Sequence, residues 1–384
     1  MIRITHLGKF YPPHYGGIEN YVHNICQATK DDFSLEVIVS NDSARTEFSI
    51  IEGVPVKRLA TYGLLASTPL SPGFMKEVHS IHEGIVHLHH PNPIPMTFLM
   101  FNRNRRIRIV VSYHSDIVKQ RFLKLAFEPV LHSILRRSSA IIVGSPNLIE
   151  HSRILRHYRG KCEVIPYPID IRSFRASISS EKVIALRKQV DKPIVLSVGR
   201  LVSYKGFSYL IAAMKNVDAE LWIVGEGPLR QQLEQQSLQN GQNIRLLGKV
   251  DDIQNYHAAA DLFVLPSINE SEAYGIVQME AMASGKAVVN TDLLSGVPYV
   301  SRSGETGITV PPCNSGALRE AIVTLLSNRE LREQMGRNAA KRVESEFDIE
   351  VVRRRTSALY QRLAARDRGI ADNGSTDEQR ESSY

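Results

Sequence analysis

Cysteine is scarce in this 384-residue sequence: Cys26, Cys162 and Cys313 are odd in number, far apart and never in a Cys-x-x-Cys pair. That spacing excludes a disulfide framework and argues against a cysteine zinc site. Long apolar runs are missing too. The longest, residues 94–101, is interrupted by Pro95 and Thr97, whereas a bilayer-spanning helix needs about 20 residues. The opening Met-Ile-Arg-Ile-Thr-His-Leu-Gly has no basic segment leading into an apolar core, so no secretory leader is expected and the cytoplasm is the default address. What is present, 43% hydrophobic and 23% charged residues, is an ordinary globular composition. It excludes disorder as the dominant state, and at about 150 residues per domain the length implies two or three domains.

Charge is uneven along the chain. Residues 1–170 hold 20 Lys and Arg against 14 Asp and Glu, net +6, and the remainder holds 27 against 26, net +1. Twelve of the 13 histidines, all but His257, also lie in the first part. A basic half suits an anionic partner: nucleic acid, acidic lipid headgroups or a phosphorylated substrate.

Two series of short β-branched strands alternate with helical periodicity. The first has strands near 2–7, 35–40, 53–58, 85–89, 107–112 and 140–144, with helices at 18–28, 72–82 and 117–137. After Pro166-Tyr-Pro168 come strands at 194–198, 220–224, 243–246, 262–265, 287–290 and 307–310, with helices between them. Such alternation predicts an α/β protein of two doubly wound, Rossmann-like domains, 1–168 and 169–346. Ligands of such sheets bind at the carboxyl ends of the strands, so a cleft between the domains is the expected site. A C-terminal helix is expected over 347–365, packing back on the first domain, followed by a disordered tail over 366–384.

The strongest constellation is Glu272-Ala-Tyr-Gly-Ile-Val-Gln-Met-Glu280, which follows an apolar strand and opens a helix at Gly275. The free amides of Gly275, Ile276 and Val277 make that helix start a natural phosphate site. Glu280 lies one turn inside an otherwise apolar helix, where a carboxylate needs partners such as ribose hydroxyls. Arg200 and Lys205 lie just past the strand 194–198, bracketed by Gly199 and Gly206, and could clamp a diphosphate. Gly16-Gly17 is a second loop able to meet a phosphate or sugar with bare backbone. Gly225-Glu-Gly227 lacks the third glycine of the dinucleotide fingerprint and reads as a turn lining the pocket. His114 ends a strand at the cleft mouth. His87, His89 and His90 lack a nearby acidic or cysteine ligand and read as a cleft-edge loop, not a metal site.

Glu272-x7-Glu280 resembles the Glu-x7-Glu motif of the family-four retaining glycosyltransferases, whose GT-B fold has two Rossmann-like domains facing across a cleft. Val198-Gly-Arg-Leu-Val-Ser-Tyr-Lys-Gly206, Val224-Gly-Glu-Gly-Pro228 and Gly16-Gly17 support the resemblance over roughly residues 1–365. It implies that Glu280 grips the ribose of a nucleotide sugar, Glu272 contacts the sugar, residues 275–277 hold the phosphates, and Arg200 and Lys205 stabilise the departing diphosphate. It places His114 beside the donor sugar. Asp-x-Asp, with which single-domain glycosyltransferases hold a divalent ion, occurs nowhere. A metal-independent enzyme without a cofactor is therefore expected, and no residue stands out as a covalent nucleophile.

Asn290-Thr-Asp-Leu-Leu-Ser-Gly-Val-Pro-Tyr-Val-Ser301 looks most like bacterial surface-polysaccharide enzymes that move mannose from GDP-mannose. The expected acceptor is a hydroxyl of a lipid-linked glycan, reached peripherally at the inner face of the cell membrane. Clusters at 103–108, Arg121 and Lys124, Arg136-Arg137, and Arg153 with Arg156 and Arg159, interleaved with Phe122, Leu123 and Phe127, would provide that contact. The alternatives are a UDP-hexose donor, a sugar-nucleotide epimerase of the same shape, and a nucleic-acid-binding protein. The last has only the basic charge behind it, without a recognition helix or zinc module.

Overall fold

The computed structural model describes residues 1–14, 16–65, 68–116, 121–240 and 243–377, with the backbone alone for 121–126, 240 and 366–377. The chain divides into two compact units, 1–144 with 152–168 and 349–384, and 145–151 with 169–348.

In the first unit the strands are β1 (Arg3–Leu7), β2 (Ser34–Ser40), β3 (Glu47–Ile51), β4 (Val54–Leu59), a small hairpin β5 (Leu64–Leu65) and β6 (Thr68–Pro69), then β7 (Gly84–His90), β8 (Ile107–Tyr113), β9 (Ala140–Val143) and β10 (Cys162–Val164). All but the small hairpin form one sheet, ordered β10-β9-β8-β7-β1-β2-β4-β3. Every pair is parallel except β3 with β4. Helices α1 (Gly17–Thr29), α2 (Phe74–Ser80), α3 (Pro93–Phe101) and α4 (Arg121–Arg137) connect them. In α1 the buried residues Tyr21, Val22, Ile25, Cys26 and Thr29 recur at helical spacing, which is why this segment coils against the sheet. The C-terminal helix, Ile349–Asp377, belongs to this unit and packs on α1 and β7.

Among the differences from the sequence reading, three concern this unit. The C-terminal helix continues past residue 365 to Asp377, so 366–377 is helical where a disordered tail was expected, and 378–384 lies outside the described residues. The apolar run 94–101 is helix α3, whose Pro93 occupies the first turn where its missing N–H costs nothing. The strand β3 was not foreseen, because Glu47–Ile51 leaves Phe48 and Ile50 exposed and so lacks a buried face.

The second unit carries α5 (Pro146–His151), α6 (Ile171–Ala176), α7 (Ser180–Arg187), β11 (Ile194–Val198), α8 (Phe207–Ala213), β12 (Glu220–Val224), α9 (Arg230–Asn240) and β13 (Ile244–Gly248). It continues with α10 (Ile253–Ala259), β14 (Leu262–Leu265), α11 (Ile276–Ala283), β15 (Val288–Thr291), α12 (Val297–Val300), β16 (Gly307–Val310), α13 (Ser315–Ser327) and α14 (Arg329–Arg342). The sheet is wholly parallel, ordered β13-β12-β11-β14-β15-β16. Its apolar strands bury both faces; one core gathers Val195, Leu221, Ile223, Leu262, Val264 and Val289 beneath α8 and α13. The order reverses between β11 and β14. A ligand crevice is expected outside the carboxyl ends of those two strands. Among the described residues, no helix is long and apolar enough to cross a membrane.

Candidate active site

Both loops at the β11/β14 switch point carry the acidic and basic residues singled out in the sequence. After β11 the chain turns at Gly199 (φ 157°), and the amides of Gly199 and Leu201 bond to the carbonyls of Val224 and Glu226 at 2.9 Å. The Gly225-Glu-Gly227 turn is thus a brace for this loop. A Cβ on Gly225 would lie 2.0 Å from the Gly199 carbonyl oxygen, and one on Gly227 2.4 Å from that of Leu201. Residues 203–205 form one 3-10 turn ending at Gly206, which adopts the left-handed conformation (φ 69°). A side chain at Gly206 would strike the Pro266 carbonyl oxygen, and the Ile268 amide bonds to the Tyr204 carbonyl at 2.8 Å. The turn bearing Lys205 therefore lies directly on the loop that follows β14.

That contact brings two predicted site residues together. The Lys205 ammonium lies 2.5 Å from Glu272 Oε2, and both side chains are about a tenth exposed. Ser267 donates its hydroxyl to the same oxygen at 3.0 Å. The cation expected at the diphosphate and the acid expected at the sugar thus neutralise each other. A buried ion pair is costly to form and costlier to break, so each group holds the other ready in place. Arg200 is exposed, with no ion pair among the described residues.

Gly275 caps α11 with φ 71°. The sequence reading gave its lack of a side chain to an approaching ligand. The structure adds a local cause, because a Cβ there would sit 2.5 Å from Leu265 Cδ2 and 2.9 Å from Gln278 Nε2, in a backbone region that L side chains rarely adopt. The Gln278 amide turns back to the Gly275 carbonyl at 3.0 Å, while the amides of Ile276 and Val277 precede any intrahelical acceptor. Glu280 is not enclosed by apolar neighbours as expected. Its side chain is a quarter exposed and faces His257, whose Nε2 lies 3.3 Å from Oε2.

Polar residues that sequence reasoning missed hold this site in shape. Asn290 donates to Gln278 Oε1, to the Val297 carbonyl and to the Ser301 carbonyl. The Thr291 hydroxyl bonds to the Ser267 carbonyl at 2.5 Å, and the Gly296 amide to that of Ala273 at 2.8 Å. The segment 290–301, noticed only as a subfamily feature, is therefore clamped onto the loop carrying Glu272. The available signal was Asn290 and Thr291 closing an apolar strand and Gln278 inside the apolar helix α11, polar residues that need partners once buried.

The first unit places its candidates separately. Gly16 is the extended N-cap of α1, and open space lies over Gly17. His114 is buried at the end of β8, not at an open mouth. Its Nδ1 shares a hydrogen bond with Tyr167 Oη at 2.6 Å, and its ring stacks on His89. Burial lowers its pKa to about 3, so the ring is neutral at pH 7. His87, His89 and His90 are interior residues of β7, which corrects the loop reading. His6 Nδ1 and His89 Nε2 are 3.1 Å apart, and His87 bonds to Tyr360 Oη at 2.6 Å and to Ser112 Oγ at 2.7 Å. His6, His87 and His89 bring one ring nitrogen each within 4.8 Å of the others, but both nitrogens of His87 already have hydroxyl partners. The set reads as a hydrogen-bonded network of neutral rings.

Comparison with known proteins agrees with this geometry. Residues 15–173 match the model of Glycosyltransferase Family 4, and residues 179–342 that of Glycosyl transferases group 1. The chain is 32% identical to a D-rhamnosyltransferase of Pseudomonas aeruginosa, covering 90% of this chain and 92% of that one. It is 29% identical to O-antigen chain mannosyltransferase C of Escherichia coli, over 90% and 94%. Among solved structures, HepE of Anabaena with UDP and glucose superposes with a TM-score of 0.74 at 22% identity, over 94% of this chain and 100% of that one. Sucrose-phosphate synthase of Thermosynechococcus elongatus gives 0.77 at 23%, over 95% and 100%. Matched along both units and related to the first of these enzymes over most of its length, the chain belongs to the family-four glycosyltransferases of GT-B fold and is a hexosyltransferase.

Proposed function

We propose that the second unit binds GDP-mannose and that the enzyme transfers mannose, with retention, to a hydroxyl of a lipid-linked glycan in surface-polysaccharide synthesis. The observation that carries this reading is the convergence of Lys205, Glu272, the α11 amides and Glu280 at the β11/β14 switch point. In it, Glu280 accepts hydrogen bonds from the ribose hydroxyls, and the amides at 275–277 hold the phosphates. Arg200 and Lys205 oppose the negative charge that grows on the diphosphate as the glycosidic bond breaks. Donor binding draws the Lys205 ammonium onto phosphate and frees Glu272 to accept from a sugar hydroxyl. Diphosphate neutralisation by these groups needs no divalent ion. His114, neutral at pH 7, serves as a hydrogen-bonding group and not as an acid. Gly16 and Gly17 offer the α1 amides to substrate.

Mannose is favoured because relatives over nine-tenths of the chain include an O-antigen mannosyltransferase and a phosphatidyl-myo-inositol mannosyltransferase of Mycobacterium leprae. A UDP-hexose is the second reading, favoured by the structural neighbours solved with UDP. Contact with the inner membrane face is supported by exposed Phe101 beside exposed Arg103, Arg105 and Arg106, and by exposed Tyr62, Leu64 and Leu65 around the β5–β6 hairpin. Of the residues expected to insert, the side chains of Phe122 and Leu123 lie outside the described set. Arg137 is committed to the carbonyls of Leu99, Met100 and Asn102. Melting of the protein with GDP-mannose, UDP-glucose, UDP-N-acetylglucosamine and UDP-galactose tests the donor. GDP-mannose should raise the midpoint most; a larger rise with any UDP-sugar would overturn the choice of mannose.

A further inference from the structure

His257 is fully buried on α10, the one histidine beyond residue 170, and neither ring nitrogen has an aligned hydrogen-bond partner. Its ring lies between Phe174 and Phe263, at centroid distances of 6.1 and 5.4 Å. α10 packs against α11, and Glu280 Oε2 lies 3.3 Å from the imidazole Nε2. A buried imidazole with unused nitrogens is expensive unless a partner completes it. The Glu280 side chain is itself a quarter exposed. The ring is thus wedged by aromatics with an unsatisfied nitrogen 3.3 Å from an acid that is itself a quarter exposed, a separation that a small rotation turns into a hydrogen bond.

We infer that His257 is a positioning residue for the donor site. Its Nε2–H fixes one oxygen of Glu280 so that the other presents to the ribose hydroxyls. The proposal rests on the ribose role given to Glu280 above and adds a residue to it. Holding one oxygen from behind selects a single carboxylate orientation before ligand arrives, which lowers the ordering cost of binding. Phe174 and Phe263 prevent the ring from turning away, so the donor remains on the Glu280 side. His257 touches no substrate atom itself.

The test separates a ribose effect from a general structural one. GDP and UDP, each in ribose and 2′,3′-dideoxy form, are titrated calorimetrically into wild type, His257→Leu, His257→Gln and Glu280→Gln. His257→Leu should weaken the tighter ribonucleotide about fivefold to twentyfold and leave its dideoxy counterpart within twofold of wild type. His257→Gln, whose amide can occupy the Nε2 position, should recover most of the loss. If His257→Leu does not fold, His257→Asn, whose shorter amide stops short of Glu280, replaces it in the comparison with Gln. Equal losses for ribose and dideoxy forms, or wild-type ribonucleotide affinity in the Leu variant while Glu280→Gln loses affinity, would overturn the role of His257 alone. Unchanged ribonucleotide binding in Glu280→Gln, or no binding of either nucleotide by wild type, would overturn the ribose reading and this inference with it.

Discussion

Replacing Lys205 by Met removes the ammonium from Glu272 and leaves the carboxylate with only the Ser267 hydroxyl. Breaking a buried pair by deleting one partner costs about 3–5 kcal/mol, because the survivor remains uncompensated. Both side chains here retain about a tenth of their exposure, so water softens the penalty and the lower end, about 3 kcal/mol, applies. For a unit of this size, each kcal/mol moves the melting midpoint by about 2–4 °C, giving a fall of about 6–12 °C. The chain has a single tryptophan, Trp222, buried in β12 of the second unit, so its fluorescence reports the unit that holds the pair. In Lys205→Met/Glu272→Gln neither survivor carries charge, and the double variant should lose less than the sum of the singles by at least about 1 kcal/mol. A Lys205→Met midpoint within 1–2 °C of wild type, roughly one kcal/mol or less, or strict additivity, would show that the pair is not coupled.

Other consequences follow from the same structure. Burial lowers His6, His90 and His114 to pKa values of about 3 and holds His87 and His89 well below 6.5. The unfolded chain binds these protons below pH 6.5 and the folded chain does not, so stability present above pH 6.5 is lost as pH falls, at up to about 1.4 kcal/mol per pH unit for each ring. Urea midpoints that stay flat from pH 7 to pH 5 would contradict that. Gly275→Ala forces a left-handed backbone and a contact with Leu265, and should lower the Trp222-monitored stability by about 1–3 kcal/mol while weakening nucleoside diphosphate binding; unchanged stability would remove the steric argument. Transfer should persist in excess EDTA, since cationic side chains and amides oppose the diphosphate charge; loss of turnover restored by Mg2+ would refute metal independence. Co-sedimentation with anionic vesicles should be seen at low salt and lost at high salt, and equal pelleting with neutral vesicles would refute the electrostatic part of membrane contact.

The two-sheet architecture was legible because parallel strands buried on both faces appear as short, nearly continuous apolar runs, as in Ile194–Val198 and Leu262–Leu265. The Glu272 and Glu280 spacing and the Arg200–Lys205 loop were legible because charged residues beside glycine at strand ends are chemically conspicuous. Their mutual contacts were not. Nothing in the sequence says that Lys205 meets Glu272, since that depends on how closely Gly206 lets the 203–205 turn approach Pro266. His257 was invisible for a related reason: its role comes from packing between α10 and α11, and a lone histidine in a helix carries no motif. The extension of the C-terminal helix to Asp377 was missed because Asp, Asn, Gly and Ser dominate residues 372–377, and propensity alone argues against a helix there.

The most direct test of the central claim, that the β11/β14 crevice holds the donor nucleotide, is photo-crosslinking with azido analogues of GDP and UDP followed by peptide mapping. Label in peptides covering residues 199–206 or 266–280, abolished by excess unlabelled nucleotide and reduced in Glu280→Ala, is the predicted result. Competable label confined to peptides from residues 1–144 would contradict it.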